Sequence, residues 1–142
     1  MDFAEQMFNK YDQDKSGSLQ IKEVYDCLQS LGTKFSLKDI QIMVQAFDDN
    51  NNGVLDYNEF EQLVYILQNI NNISMETVLF YKADSDRNGV IDVKEFMNIM
   101  KSLKVAMPDQ KLKSYAIQMG ADKDGITFGN FTNLITKIKV LM

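Results

Sequence analysis

The stretch DSDRNGVIDVKE, residues 84–95, alternates carboxylates and an amide (Asp84, Asp86, Asn88), turns at Gly89, and closes on Glu95. Stepping back 36 residues gives DDNNNGVLDYNE at 48–59, and a second step gives DQDKSGSLQIKE at 12–23. One step forward lands on Gly120, the start of GADKDGITFGNF. Gly17, Gly53, Gly89 and Gly125 keep the same interval. A fixed interval of this size marks a chain built from repeated supersecondary units.

The spacing within a copy has a chemical reason. A hard cation such as calcium takes six to eight oxygens at about 2.3–2.6 Å, so the chain wraps round it with alternate residues directed inward. Glycine at the sixth position allows the positive φ that a β-carbon resists. In the loop 12–23 the expected ligands are Asp12, Asp14, Ser16, the Ser18 carbonyl and Glu23, with Gln20 at position nine. In 48–59 they are Asp48, Asn50, Asn52, the Val54 carbonyl, Asp56 and Glu59. In 84–95 they are Asp84, Asp86, Asn88, the Val90 carbonyl, Asp92 and Glu95. Carboxylates at these positions number three, three and four, so by charge the loop 84–95 binds most tightly. Polar turns between helices would also be rich in Asp and Asn, but three matches at one interval do not arise from turn composition.

The fourth copy departs from the pattern. Gly120 replaces the first ligand and Asn130 the closing glutamate, leaving Asp122 and Asp124. The apolar flanks fix its register. Residues four and one before each loop are Phe8 and Tyr11, Val44 and Phe47, Phe80 and Ala83, Ala116 and Met119. Residues one, four and five after each closing position are Val24, Cys27 and Leu28; Phe60, Leu63 and Val64; Phe96, Ile99 and Met100. The fourth copy supplies Phe131, Leu134 and Ile135 only if one residue is missing just after Gly125, which makes the loop 120–130. These are helical spacings on both sides of every loop. The degenerate loop is expected to bind no ion and to pair through Ile126 with its neighbour. Cys27 falls in the apolar set and reads as a core thiol.

At 142 residues with 45% hydrophobic content, the chain can fill one domain or two small lobes. A net charge of −5 argues against nucleic-acid binding. One cysteine precludes an internal disulfide and suits a reducing compartment, so a cytoplasmic location is expected. No run approaches a membrane span, and the opening MDFAEQ is expected to carry neither a signal peptide nor a myristoylation signal. Absence of histidine, of a phosphate-binding glycine loop and of an exposed nucleophile argues against an enzyme.

On these motifs the chain resembles the calmodulin and troponin C group of EF-hand proteins, over nearly all its length. The resemblance implies an all-α fold of four helix–loop–helix units, the fourth degenerate, paired into two lobes. These would be 1–70 and 71–142, joined through QNINNIS (68–74) with Ser74 as a helix cap. Gly32 and SLKD (36–39) would end and start helices in the first lobe, and MPDQ (107–110) would do so in the second. It implies a monomeric calcium sensor taking up to three ions, with magnesium competing, and gripping the amphipathic helix of a target protein. Phe8, Met43, Phe47, Phe80, Met97, Met100 and Phe131 would line the grooves that calcium exposes. The alternatives are a constitutive subunit like a myosin light chain, seated on an IQ-type helix of an unconventional myosin, and a calcium buffer. Residues 1–71 carry 12 acidic and 5 basic side chains, whereas 72–142 carry 8 and 10. With at most one ion, a net charge of +2 and a degenerate loop, the second lobe is expected to hold its target at resting calcium, through Phe96, Met97, Met100, Met119 and Phe131.

Overall fold

The computed structural model describes residues 2–69 and 74–139. Its eight helices are α1 (Phe3–Tyr11), α2 (Ile21–Ser30), α3 (Leu37–Phe47), α4 (Tyr57–Asn69), α5 (Met75–Ala83), α6 (Val93–Ser102), α7 (Asp109–Gln118) and α8 (Phe128–Ile138). Two short strands, β1 (Ser18–Leu19) and β2 (Leu55–Asp56), complete the described elements. The fold is all-α, in four helix–loop–helix units. The chain forms two compact units, 1–78 and 79–142. The expected boundary at 70/71 lies outside the described residues.

Local chemistry sets the helix ends. The Asp2 carboxylate accepts from Glu5 N–H at 2.8 Å and starts α1. Gly32, at φ 84°, ends α2 in the left-handed conformation. Ser36 and Asp39 form a reciprocal capping box at the head of α3, with bonds of 3.1 and 3.2 Å. Ser74 caps α5 by accepting from Thr77 N–H at 3.2 Å. The second connection differs from expectation. Lys104 (φ 54°) closes α6, and Pro108 precedes α7 without supplying a side-chain cap.

In the first unit, α1 packs on α4 and α2 on α3. The Phe8 ring meets Tyr57 edge-on at 5.5 Å and lies 5.8 Å from Phe60. In the second unit α6 packs on α7. Phe80 of α5 stands edge-on to Phe128 and Phe131 of α8, at 5.3 and 5.6 Å. Every flanking residue predicted to be apolar core is buried except Tyr11 and Met119, which are half-buried. Each fully buried aliphatic or aromatic side chain contributes about 1.5–3 kcal/mol, so this helical spacing carries most of the fold's stabilisation.

Candidate metal centre

Each of the loops 12–23, 48–59 and 84–95 lies between two helices, and its first and last expected ligands stand at those helices' ends. Asp12 and Asp48 directly follow α1 and α3, where each backbone N–H still bonds back to the helix at 2.9 Å. Glu23, Glu59 and Glu95 stand in the first turns of α2, α4 and α6. The helices thereby fix both ends of every loop before any ion is considered.

The first-position carboxylates organise the turn. Asp12 accepts from Ser16 and Gly17 N–H at 3.1 and 3.0 Å. Asp48 does so from Asn52 and Gly53 at 3.1 and 2.7 Å, and Asp84 from Asn88 and Gly89 at 3.2 and 2.9 Å. The closing glutamates reach back across the loop. Glu23 accepts from Gln13 N–H at 3.0 Å, Glu59 from Asp49 at 2.7 Å, and Glu95 from Ser85 at 2.8 Å. Their other oxygens accept from the residue at position nine: Gln20 at 2.9 Å, Asp56 and Asp92 at 3.0 Å. Three loops of different sequence thus share one hydrogen-bonded frame.

That frame gathers the acidic oxygens. One carboxylate oxygen each from Asp12, Asp14 and Glu23 lie within 4.8 Å of one another, and so do those of Asp84, Asp86 and Glu95. Two oxygens each bound at about 2.3–2.6 Å from one ion lie at most roughly 5 Å apart, so both sets fit a single calcium. In the loop 48–59, Asn50 stands where the other loops gather a third carboxylate, Asp14 and Asp86, and its amide oxygen is also a calcium ligand type. Ser16 Oγ donates to the Ser18 carbonyl at 3.0 Å, bringing two further expected ligands together. Asn52 and Asn88 point back to Val54 and Val90, accepting from their N–H groups at 3.2 and 3.1 Å.

Asp56 and Asp92 have a second task. Each caps its helix, accepting from the glutamate N–H three residues on at 2.9 and 2.8 Å. Position nine therefore builds the helix start as well as facing the loop.

Electrostatics follow burial. Asp84, Glu59 and Glu95 are buried, as is Asp12. Burial pushes the Glu95 carboxyl above its usual range, opposed in part by the Asp92 and Asp86 N–H groups. Exposed Asp14 is held below the ordinary range by the Ser16 hydroxyl and N–H. Cys27 is fully buried, and its thiol is pushed up to about 11, as befits a core residue.

The backbone demands one thing that the sequence pattern did not announce. Position four is left-handed in all three loops: Lys15 (φ 52°), Asn51 (58°) and Arg87 (56°). Asparagine there is a recognisable signal for that conformation, but lysine and arginine are not.

The loop 120–130 folds by other means. Its Gly120 carbonyl accepts from both Lys123 and Gly125 N–H, at 3.0 and 2.7 Å, where the other loops use a carboxylate for the glycine. Asp122 and Asp124 are exposed and, among the described residues, join no acidic cluster. Thr127 caps α8 with Asn130 three residues on, at 3.2 Å, which sets Asn130 level with Glu23, Glu59 and Glu95. The missing residue is therefore position seven. Ile126 bridges Ile91 in antiparallel fashion, as the sequence leads one to expect.

The residues expected to line grooves that calcium exposes lie inside the packed units here. Phe8, Met43, Phe47, Phe80, Met100 and Phe131 are buried, as is Phe96, while Met97 and Met119 are half-buried. In this structure they are core, because each apolar side chain packed inside gains more than one left in water. No helix among the described residues is long and apolar enough to cross a membrane.

Comparison with known proteins agrees with this geometry. A family described as an EF-hand domain pair matches residues 1–65, and one described as EF hand matches 75–100. Together they cover more than half of the chain. The chain is similar to "Probable calcium-binding protein CML18" of Arabidopsis thaliana, 41% identical over 59 residues, 42% of this chain and 36% of that protein. It is 29% identical over 138 residues to "Calcium-dependent protein kinase 22" of Oryza sativa subsp. japonica, covering 95% of this chain and 23% of the kinase. It is 37% identical over 57 residues to "Myosin 1 light chain cam2" of Schizosaccharomyces pombe, 40% of each chain. The matched stretches span well under half the length of these curated relatives. The chain belongs to the EF-hand family of calcium-binding proteins.

Proposed function

We propose that the chain is a calcium sensor that grips an amphipathic helix of a target protein in a calcium-modulated way. The observation that carries this reading is the common frame of the loops 12–23, 48–59 and 84–95, each closed by a glutamate that also begins a helix. An ion drawing that glutamate inward moves the helix and the apolar core residues on it. Up to three calcium ions bind, one in each of these loops, with affinities of roughly 10⁻⁷–10⁻⁵ M, and magnesium competes for the same oxygens. The loop 120–130 binds none. The lobes correspond to 1–70 and 71–142, and the free chain is a monomer acting by binding, without turnover. One buried, unpaired cysteine suits the cytoplasm.

The similarity to a protein named as a myosin light chain favours a second reading, a constitutive subunit on an IQ-type helix. Titration calorimetry combined with an apolar dye separates the two. The sensor reading expects three ions and a rise in dye binding with calcium. Three ions with no change in dye binding would favour the constitutive subunit or a buffer, and a single ion would overturn the site assignment.

A further inference from the structure

We propose that Gly125, in the loop that lacks ligands, positions the Val90 carbonyl and so sets how tightly the loop 84–95 holds calcium. This rests on the reading that 84–95 binds the ion. A β-carbon at Gly17, Gly53 or Gly89 would meet nothing within 4 Å. At Gly125 it would lie 2.5 Å from Val90 Cγ2 and 2.6 Å from Val90 Cβ. Gly125 is the one turn glycine of the four that is needed for space as well as for its φ of 91°.

The crowding falls where the fourth loop is one residue short. In an intact loop the seventh residue separates the glycine from the bridging residue at position eight. Here Gly125 adjoins Ile126 directly, and Ile126 exchanges two backbone hydrogen bonds with Ile91, at 3.0 and 2.8 Å. Gly125 also lies against Val90, the residue before Ile91. Its own N–H is fixed by the Gly120 carbonyl at 2.7 Å, so this contact has little freedom to drift. Val90 is held on one side by the bridge and on the other by its side chain resting on Gly125.

Val90 supplies the backbone oxygen at position seven. Calcium–oxygen distances occupy a window of only about 0.3 Å. Carbon atoms in contact stand about 3.5–4.0 Å apart, so relieving a 2.5 Å overlap demands a movement of roughly 1 Å. A side chain at 125 therefore moves Val90 by more than the metal site tolerates. The ligand-free loop acts as a brace for the working one.

The test uses the full chain and nuclear magnetic resonance titration with calcium, reading the Gly17, Gly53 and Gly89 amides as reporters of each loop. Hydrogen exchange at the Ile91 and Ile126 amides is read in chelator. Gly125→Ala should weaken the 84–95 loop by about 10–100-fold, the range typical of residues that orient ligands. It should speed exchange at Ile91 and leave the loops 12–23 and 48–59 unchanged. Val90→Gly removes the contact itself, so adding Gly125→Ala to it should cost little more than Val90→Gly alone, the two losses being strongly non-additive. If Gly125→Ala does not fold, Val90→Ala alone keeps the carbonyl and removes the methyl groups resting on Gly125; it should weaken the same loop and speed the same exchange. Unchanged affinity in the variant that folds, or losses that simply add in the double variant, overturns the proposal. A wild-type Gly89 amide that ignores calcium would instead remove the reading beneath it, and the proposal with it.

Discussion

The first unit joins its loops by a two-residue ladder, Ser18 and Leu19 against Asp56 and Leu55, whereas the second joins them by the single bridge of Ile91 and Ile126. In the first, both turn glycines give their N–H to a carboxylate, Asp12 or Asp48. In the second, Gly89 does so with Asp84, but Gly125 turns to a backbone carbonyl. Behind these unequal loops the aromatic packing is alike. Phe8 meets Tyr57 and Phe60, and Phe80 meets Phe128 and Phe131. These are the same positions two repeats on, less the one residue that the fourth loop lacks. Ligand chemistry and helix packing are thus separable: a loop can lose its ligands while its helices keep their partners. The Gly120 carbonyl takes the Gly125 N–H, as a first-position carboxylate takes that of the turn glycine in the other loops.

The largest effect should come from the shared core. Phe60 and Phe131 are both fully buried, and truncating either to alanine should cost its own unit about 3–5 kcal/mol. Denaturant unfolding followed by a probe in each unit measures this. A much smaller loss for Phe131→Ala would break the equivalence of the two cores.

Next is the contrast between paired and solitary sites. Glu95→Gln should lower calcium affinity at 84–95 by more than about 100-fold, beyond the 10–100-fold typical of outer-shell changes. The second unit would then lose its calcium-induced change. Glu23→Gln should leave the first unit responsive through the intact loop 48–59. Circular dichroism of each variant with calcium and with chelator decides it, and equal responses in both units would count against the assignment.

A weaker effect is tied to pH. Calcium needs Glu95 ionised, while burial raises its pKa. Uptake at 84–95 should therefore release a proton on acidification, and affinity there should begin to fall at a higher pH than an ordinary glutamate would give. For the calcium-free fold, Glu95 retains its proton more readily folded than unfolded. Between the ordinary and the raised value, its contribution to stability therefore declines as pH rises. Calcium titrations and unfolding measured at successive pH values check both signs.

The smallest effect concerns the degenerate loop. Asn130→Glu places a carboxylate in the first turn of α8 opposite Thr127, completing a capping box. It should stabilise the second unit by about 0.3–1 kcal/mol without creating a site, because position seven and the first ligand remain absent. Calorimetry should still count three ions, and a fourth would show that the closing glutamate alone had been missing.

Much of this architecture was legible in the chain. The 36-residue interval located every loop, and the helical spacing of residues such as Val24, Cys27 and Leu28 found the core that the structure buries. Two periodicities agreed over four copies, so local signals reinforced one another. The same reading was incomplete on α5, where it marked Phe80 and Ala83 but Met75, Thr77, Val78 and Leu79 are buried too. A helix buried on successive residues has no apolar stripe to detect.

The sequence by itself determined the number of units, their register and which oxygens each loop can offer, because those depend on residue type and spacing along the chain. Only the tertiary structure decided that α5 is buried on the successive residues Val78, Leu79 and Phe80 and that Lys15 and Arg87 take a left-handed turn. It alone showed that Gly125 lies against Val90. Each of these depends on atoms far apart in sequence, or on backbone angles that the side chain does not announce.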